Sequence, residues 1–236
     1  MLARLERLPV ASIDMLAGFG KAMILAPHPD DESLGCGGYI AAARQDPPAV
    51  VILTDGAASH PGSQAYPPAR LAALREAETA DALRALGLPA EHLHFMRAAD
   101  TALPAEGAAF EVIVTRLAEL ALAEKCRLII GPWAEDPHCD HQAGARIAAS
   151  LAARLRLPLW SYPVWGWLLD HAARVTEARA HGWRLDISPY LEVKRAAIAA
   201  HRSQNGDLIT DSPTGFRLPE RLLAIFERSY EVFITT

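Results

Sequence analysis

The stretch that most constrains this chain is residues 21–34, KAMILAPHPDDESL. Ala22, Met23, Ile24, Leu25 and Ala26 form an apolar run of the length expected for a strand buried on both faces. Pro27 and Pro29 end it, and His28, Asp30, Asp31 and Glu32 follow within five positions. Three carboxylates this close repel one another and raise at least one carboxyl pKa unless something neutralises them. A divalent cation is the simplest neutraliser. The bland account is an acidic turn that caps the next helix, because carboxylates favour helix N-termini.

The pattern recurs once. Residues 127–131 (RLIIG) read as another buried strand and run into PWAEDPHCDH at 132–141. Between the two clusters, residues 49–54 (AVVILT) and 92–96 read as strands. Residues 35–43, 69–86, 105–124 and 142–155 read as helices, and Gly87 sits at a C-cap position. This alternation predicts an α/β fold, a Rossmann-like parallel sheet with helices on both faces. Residues 1–20 suggest a short helix or arm. The last third is less regular: the aromatic 159–167 suggests a strand over the site, Ser188 and Pro189 open a helix to Ala200, and 219–234 suggest a helix and a short strand. With no internal repeat or low-complexity linker, the 236 residues are expected to form a single domain, 1–236.

Charge and composition narrow the function classes. A net charge of −5 leaves no basic footprint for nucleic acid. No run approaches the ~18 apolar residues that span a bilayer. The first sixteen residues mix charge with apolar side chains and lack a signal-peptide core. Cys36, Cys126 and Cys139 are odd in number and form no CxxC pair. The expectation is a reduced, cytoplasmic protein, with a homo-oligomer possible.

Strands of a parallel sheet end on one side, and ligand sites lie beyond those ends near a switch in strand order. The clusters after the first and fourth expected strands therefore meet. Two His and one Asp make a set suited to Zn²⁺ with a position left for water; Fe²⁺ or another divalent ion is tolerated by the same set. His28 and Asp31 are close enough to share one ion, and either His138 or His141 supplies the third ligand. Asp30 is then free to act as a base on the water. The remaining histidine faces a substrate oxygen, with Asp140 holding its ring and favouring its protonated form. The constellation suits metal-assisted hydrolysis.

With PHPDDE at 27–32, HCDH at 138–141, RxxE from Arg75 to Glu78 and HRSQ at 201–204, the sequence resembles the LmbE-like or PIG-L-type deacetylases over about residues 23–204. The resemblance implies a Rossmann-like domain that uses zinc to remove an N-acetyl group from a glucosamine-type sugar or conjugate. It implies His28, Asp31 and His141 as metal ligands and Asp30 as general base. His138 becomes the oxyanion-stabilising electrophile, oriented by Asp140. Arg75 and Asp100 match substrate-contacting positions, and His201 is taken as a third.

Departures from the family pattern are Pro27 in place of Ala, Cys139 in place of Pro, and Ala57, Ala58, Ser59 and His60 where an acidic residue often follows the glycine. These touch the substrate more than the metal. One rival is a metal-dependent hydratase of an unsaturated acid, with Arg75, Arg97 and Arg202 as cations at the mouth. The other is a non-catalytic metal- or sugar-binding protein. Arg75 with Glu78 also fits an exposed helical ion pair, and His201 a helix-dipole contact. His60 reads as a surface residue, Cys139 as turned away from the site, and Trp160, Trp165 and Trp167 as core. His92, His94, His171 and His181 have no partner motif.

Overall fold

Buried apolar strands dictate the centre of the molecule. The computed structural model describes residues 5–169, 181–206 and 208–235; His171 lies outside them. The strands are β1 (Val10–Ala11), β2 (Ala22–Ala26), β3 (Ala49–Thr54), β4 (Leu93–Ala98), β5 (Leu128–Pro132), β6 (Leu159–Tyr162), β7 (His181–Asp186) and β8 (Tyr230–Thr235). Every residue of β2, β3 and β5 is buried, as continuous apolar strands of a two-sided sheet should be. Together the strands form one sheet in the order β1-β7-β8-β6-β5-β2-β3-β4.

Helices lie on both faces: α1 (Ile13–Ala17), α2 (Asp31–Ala42), α3 (Pro68–Leu86), α4 (Gly107–Ala123), α5 (Cys139–Leu155), α6 (Leu191–Ala200), α7 (Arg202–Asn205) and α8 (Glu220–Phe226). Side chains alternate along β2. Ala22, Ile24 and Ala26 point into one core with Leu34 and Ile40 of α2, Leu83 and Leu86 of α3 and Ala197 of α6. Met23 and Leu25 point into the other, with Val114 and Leu117 of α4 and Ile147 and Leu151 of α5. The core thus has two layers divided by one sheet.

The expected parallel sheet is corrected at one strand. β8 runs antiparallel to both β6 and β7, while the remaining neighbours pair parallel. β8 follows α8 after a three-residue turn and reaches its slot from the opposite end of the sheet. The aromatic stretch is a strand only over Leu159–Tyr162; Trp165–Leu168 is a 3-10 turn. Ser188 does not cap a helix directly. It starts a 3-10 turn (Ser188–Tyr190) ahead of α6, and its hydroxyl donates to Asp186 (2.6 Å).

β2 sits between β3 and β5, so the chain leaves β2 to build one side of the sheet and returns at β5 on the other. The segments after β2 and β5 consequently meet at a topological switch point. Gly35 makes that meeting close. A Cβ there would stand 2.1 Å from Tyr162 Cδ2, and the Tyr162 hydroxyl donates to the Leu25 carbonyl (2.9 Å). Only a residue without a side chain lets α2 begin against β6. Among the described residues, no helix is long and apolar enough to cross a membrane.

Candidate active site

The N-termini of α2 and α5 converge at the switch point, so both helices aim partial positive charge at one place. His28 Nδ1 lies 3.2 Å from Asp31 Oδ2, and His141 Nε2 lies 3.2 Å from the same oxygen. All three side chains are buried. The far nitrogen of each ring is held by carboxylates. Asp136 Oδ2 lies 2.9 Å from His141 Nδ1 and also accepts from the amides of Val164 (3.0 Å) and Trp165 (3.3 Å). Its Oδ1 accepts from the Gly166 amide. His28 Nε2 faces Asp140 Oδ2 (3.1 Å) and Asp100 Oδ1 (3.3 Å).

These second partners set the tautomers. Asp136 and Asp140 already take backbone N–H groups and are acceptors, so the histidine protons lie on His141 Nδ1 and His28 Nε2. Two nitrogen lone pairs are then left aimed at one carboxylate oxygen, and His141 Nε2 is buried with no hydrogen-bond partner. The one donor at this point is the His28 backbone amide, which donates to Asp31 Oδ2 (2.9 Å), and the lone pairs that remain suit a cation. Without a cation, protons take its place between the rings and Asp31. Burial alone would lower both histidines, yet Asp100, Asp140 and Asp31 raise His28 well above its ordinary value, and Asp31 and Asp136 raise His141 to about 9. Burial would raise Asp31, but His141 and His28 pull it far below the carboxylate range. Carboxylate-held imidazoles beside a further carboxylate are the usual surroundings of a bound divalent ion. The residues fit the metal that the motif implies.

A competing donor set shares two of these residues. His28, His138 and His141 can each offer a nitrogen within 4.8 Å of the others. Asp31 also stands at 3.2 Å from one nitrogen of each of His28 and His141, and it carries negative charge. His138 instead lines a cavity of about 520 Å³ together with His28, Asp30, Asp31, Arg75 and Asp100.

Asp30 occupies the N-cap position of α2, but its side chain makes no capping bond, and its φ of 134° is a left-handed value that costs a non-glycine residue about 1–3 kcal/mol. Three contacts hold it there. Its amide donates to Glu32 Oε2 (3.0 Å), Arg75 Nη2 donates to its Oδ2 (3.3 Å), and the same nitrogen donates to the Pro29 carbonyl (2.7 Å). Burial pushes its carboxyl up to about 7, with Arg75 opposing and Asp31 adding. That places a base near neutrality on the cavity wall.

Several expectations are corrected by these contacts. Asp140 does not hold the His138 ring: its carboxylate accepts from His28 and from the amides of Thr101 (2.7 Å) and Leu103 (3.0 Å). What touches His138 is the Asp140 amide, which donates to His138 Nδ1 (3.2 Å) as His138 caps α5. His138 is therefore neutral, with its proton on Nε2. Burial and the neighbouring His28 and His141 lower its pKa rather than raise it.

His201 does not line the cavity. It is 1% exposed and lies behind the catalytic turn, with Nε2 at 3.1 Å from both Glu32 Oε1 and Ser33 Oγ. Asp100 is on the wall but also braces His28, and the Ala58 amide donates to it (2.9 Å). Arg75 and Glu78 are both buried and do not pair; Glu78 accepts from Ser203. His60 is buried too, within 3.0 Å of Ser59. Cys139 is exposed, Trp160 and Trp167 are core, and Trp165 lines the cavity edge-on to Phe216.

The sequence reading gave no role to Asp136, Glu32, Gln204 or the 214–218 wall. Asp136 was legible in principle, as an acidic residue two positions ahead of His138 in a loop after a buried strand.

The sequence profile of the PIG-L family, described as GlcNAc-PI de-N-acetylase, matches residues 23–152, more than half of the chain. The chain belongs to the PIG-L family. Solved structures agree on the fold. The N,N'-diacetylchitobiose deacetylase of Pyrococcus horikoshii superposes with a TM-score of 0.63 at 24% identity, over 79% of this chain and 71% of its own. A deacetylase of the teicoplanin biosynthetic pathway gives 0.65 at 18%, over 91% and 97%. The 4-carboxy-2-hydroxymuconate hydratase of Pseudomonas putida KT2440 gives 0.60 at 20%, over 77% and 78%. No curated protein matches the chain. The PIG-L match covers β2 to α5, the span that holds both clusters of the site.

Proposed function

We propose that the protein is a metal-dependent N-deacetylase acting on an amino sugar or amino-sugar conjugate. The carrying observation is the convergence of His28 Nδ1 and His141 Nε2 on Asp31 Oδ2, with Asp30 and His138 on the wall of the same cavity. His28, Asp31 and His141 would hold the ion, with Zn²⁺ the first choice and Fe²⁺ or another divalent ion an alternative. A cation there supplies Lewis acidity, polarising an amide carbonyl and lowering the pKa of a water towards ~7.

The chain supplies the rest. Asp30 takes a proton from the water that attacks the acetyl carbon. His138, neutral and carrying its proton on Nε2, donates a hydrogen bond to the carbonyl oxygen as negative charge develops on it. Asp30 then returns the proton to the leaving nitrogen, the C–N bond breaks, and acetate and a free amine leave. Asp100 and Asp140 fix the His28 ring, and Asp136 fixes His141. Arg75 keeps Asp30 aimed at the cavity.

Charge disfavours the hydratase. Arg75 is the one arginine among the described residues lining the cavity, and both its terminal nitrogens are engaged by Gly56, Pro29 and Asp30. Arg97 is exposed and paired with Glu76. Only the buried Nε of Arg75 lacks a partner, so a substrate with several carboxylates would meet no guanidinium with free terminal nitrogens on the cavity wall. The test measures amine release from N-acetylglucosamine and its conjugates, beside water addition to unsaturated dicarboxylic acids, with metal-loaded wild type and Asp30→Asn. Amine release that needs both metal and Asp30 is expected. Water addition without amine release would overturn the proposal.

A further inference from the structure

Gln204 lines the cavity yet is only 1% exposed, and its side-chain carbonyl Oε1 has no hydrogen-bond partner. The orientation of the amide is not arbitrary. Glu78, itself buried, accepts twice from Ser203: from the amide at Oε1 (2.9 Å) and from the hydroxyl at Oε2 (2.6 Å). The one hydroxyl proton of Ser203 is thereby committed, so Ser203 Oγ can only accept from Gln204. Gln204 Nε2 meets it at 2.9 Å and reaches Ser59 Oγ at 3.4 Å. Turning the amide over would set oxygen against oxygen. The backbone is pinned as well, because the Leu218 amide donates to the Gln204 carbonyl (2.9 Å).

Helix α3, through Glu78, therefore locks the Gln204 amide and leaves a buried acceptor unanswered on a side chain that lines the cavity. A buried unpaired carbonyl is costly, and a site built to bond a donor discriminates strongly against ligands that lack it. We infer that Gln204 is a substrate-binding residue whose Oε1 accepts a hydrogen bond from a hydroxyl group of the substrate. The same oxygen repels a carboxylate or phosphate placed against it, so this position selects neutral, hydroxylated substrates. The inference rests on the amino-sugar substrate class of the proposed function and not on the deacetylation step.

The experiment measures dissociation constants by calorimetry, and amine release in parallel, for N-acetylglucosamine and its singly deoxygenated analogues. Metal-loaded wild type and Gln204→Met are compared, with metal content as the control for folding. In wild type, one analogue is expected to bind about tenfold to a hundredfold more weakly than the parent sugar. In Gln204→Met the parent sugar is weakened by a similar factor, and that analogue loses nothing further.

Wild type that binds every analogue as it binds the parent overturns the inference. So does a Gln204→Met variant that matches wild type, or one that weakens all analogues equally. The wild-type series stands by itself should the variant fail to fold. Sugar that binds but releases no amine rejects the deacetylase reading and leaves the dissociation constants to judge Gln204. A complete lack of sugar binding overturns the inference.

Discussion

Replacing Asp136 by Asn tests whether His141 is a metal ligand held from behind. The carboxylate is buried and serves four donors: the His141 ring, and the amides of Val164, Trp165 and Gly166. Asn keeps the shape but turns one oxygen into an NH₂ group that must face a donor. If the NH₂ faces the ring, His141 loses its Nδ1 partner and its preferred tautomer. If it faces Gly166, one buried amide loses its acceptor. Removing a carboxylate behind a ligating histidine weakens metal binding about tenfold to a hundredfold, or about 1.4–2.7 kcal/mol. The unsatisfied buried donor costs the metal-free protein a further ~1–3 kcal/mol. Calorimetric zinc titration reads the first effect and thermal melting with a chelator reads the second. A zinc dissociation constant within twofold of wild type, in a variant whose metal-free melting point has fallen, would refute the role of Asp136 and with it the ligand role of His141.

Other substitutions separate the remaining roles. Asp30→Asn should retain stoichiometric metal while kcat for amine release drops at least about 100-fold; unimpaired turnover would reject the base. His201→Ala removes the buried partner of Glu32, which holds the Asp30 amide, so kcat should fall about tenfold or more with zinc affinity and KM nearly unchanged; a loss confined to KM would return His201 to the substrate contacts. Gly35→Ala would drive a methyl into the Tyr162 ring, and chemical denaturation should show a loss of about 1–3 kcal/mol.

The metal-free protein should also show a particular pH profile. Asp100 is held down to about 2, and Asp31 and Asp140 are lowered too, so their stabilisation is present above the unfolded value near 4 and is lost as pH falls towards 2. His28 and His141 are raised, so theirs is complete below 6.5 and lost as pH rises through about 9 for His141. Asp30, raised to about 7, loses its stabilisation between about pH 4 and 7, so melting with chelator should be highest near pH 4 and fall more steeply above 6.5. Saturating zinc should remove the alkaline decline, because a metal takes neutral imidazoles. An alkaline decline that zinc leaves intact would contradict the site.

Much of this fold is legible in the chain because its signals are local. Five consecutive apolar residues at β2 and five at β3 are buried on both faces, and the proline breaks of the 27–29 segment mark where the polar cluster begins. That both clusters stand at one end of a parallel sheet is legible from the strands they follow, whereas the pairing of β5 with β2 that brings His28 to His141 is seen only in the structure. What escapes is set by contacts distant in sequence. β7 carries Gly182 and Trp183 with no clean alternation, and β8 is antiparallel because of where α8 leaves the chain. Asp140 and His138 sit two residues apart, which suggests a pair. The helix N-terminus instead turns the carboxylate to His28, 112 positions away. His201 likewise belongs to Glu32, 169 positions away, and spacing could not reveal it. Composition could not show that the 214–218 segment forms a wall, because the Phe216 amide finds its acceptor at Ser59 across the cavity mouth.

The most direct test of the metal centre is anomalous diffraction at the zinc edge from a zinc-loaded crystal. The account predicts one strong peak bounded by His28 Nδ1, a carboxylate oxygen of Asp31 and His141 Nε2, with His138 outside the coordination sphere. A peak held instead by His138, Cys139 and Asp140, or by His28, Asp100 and Asp140, would contradict it.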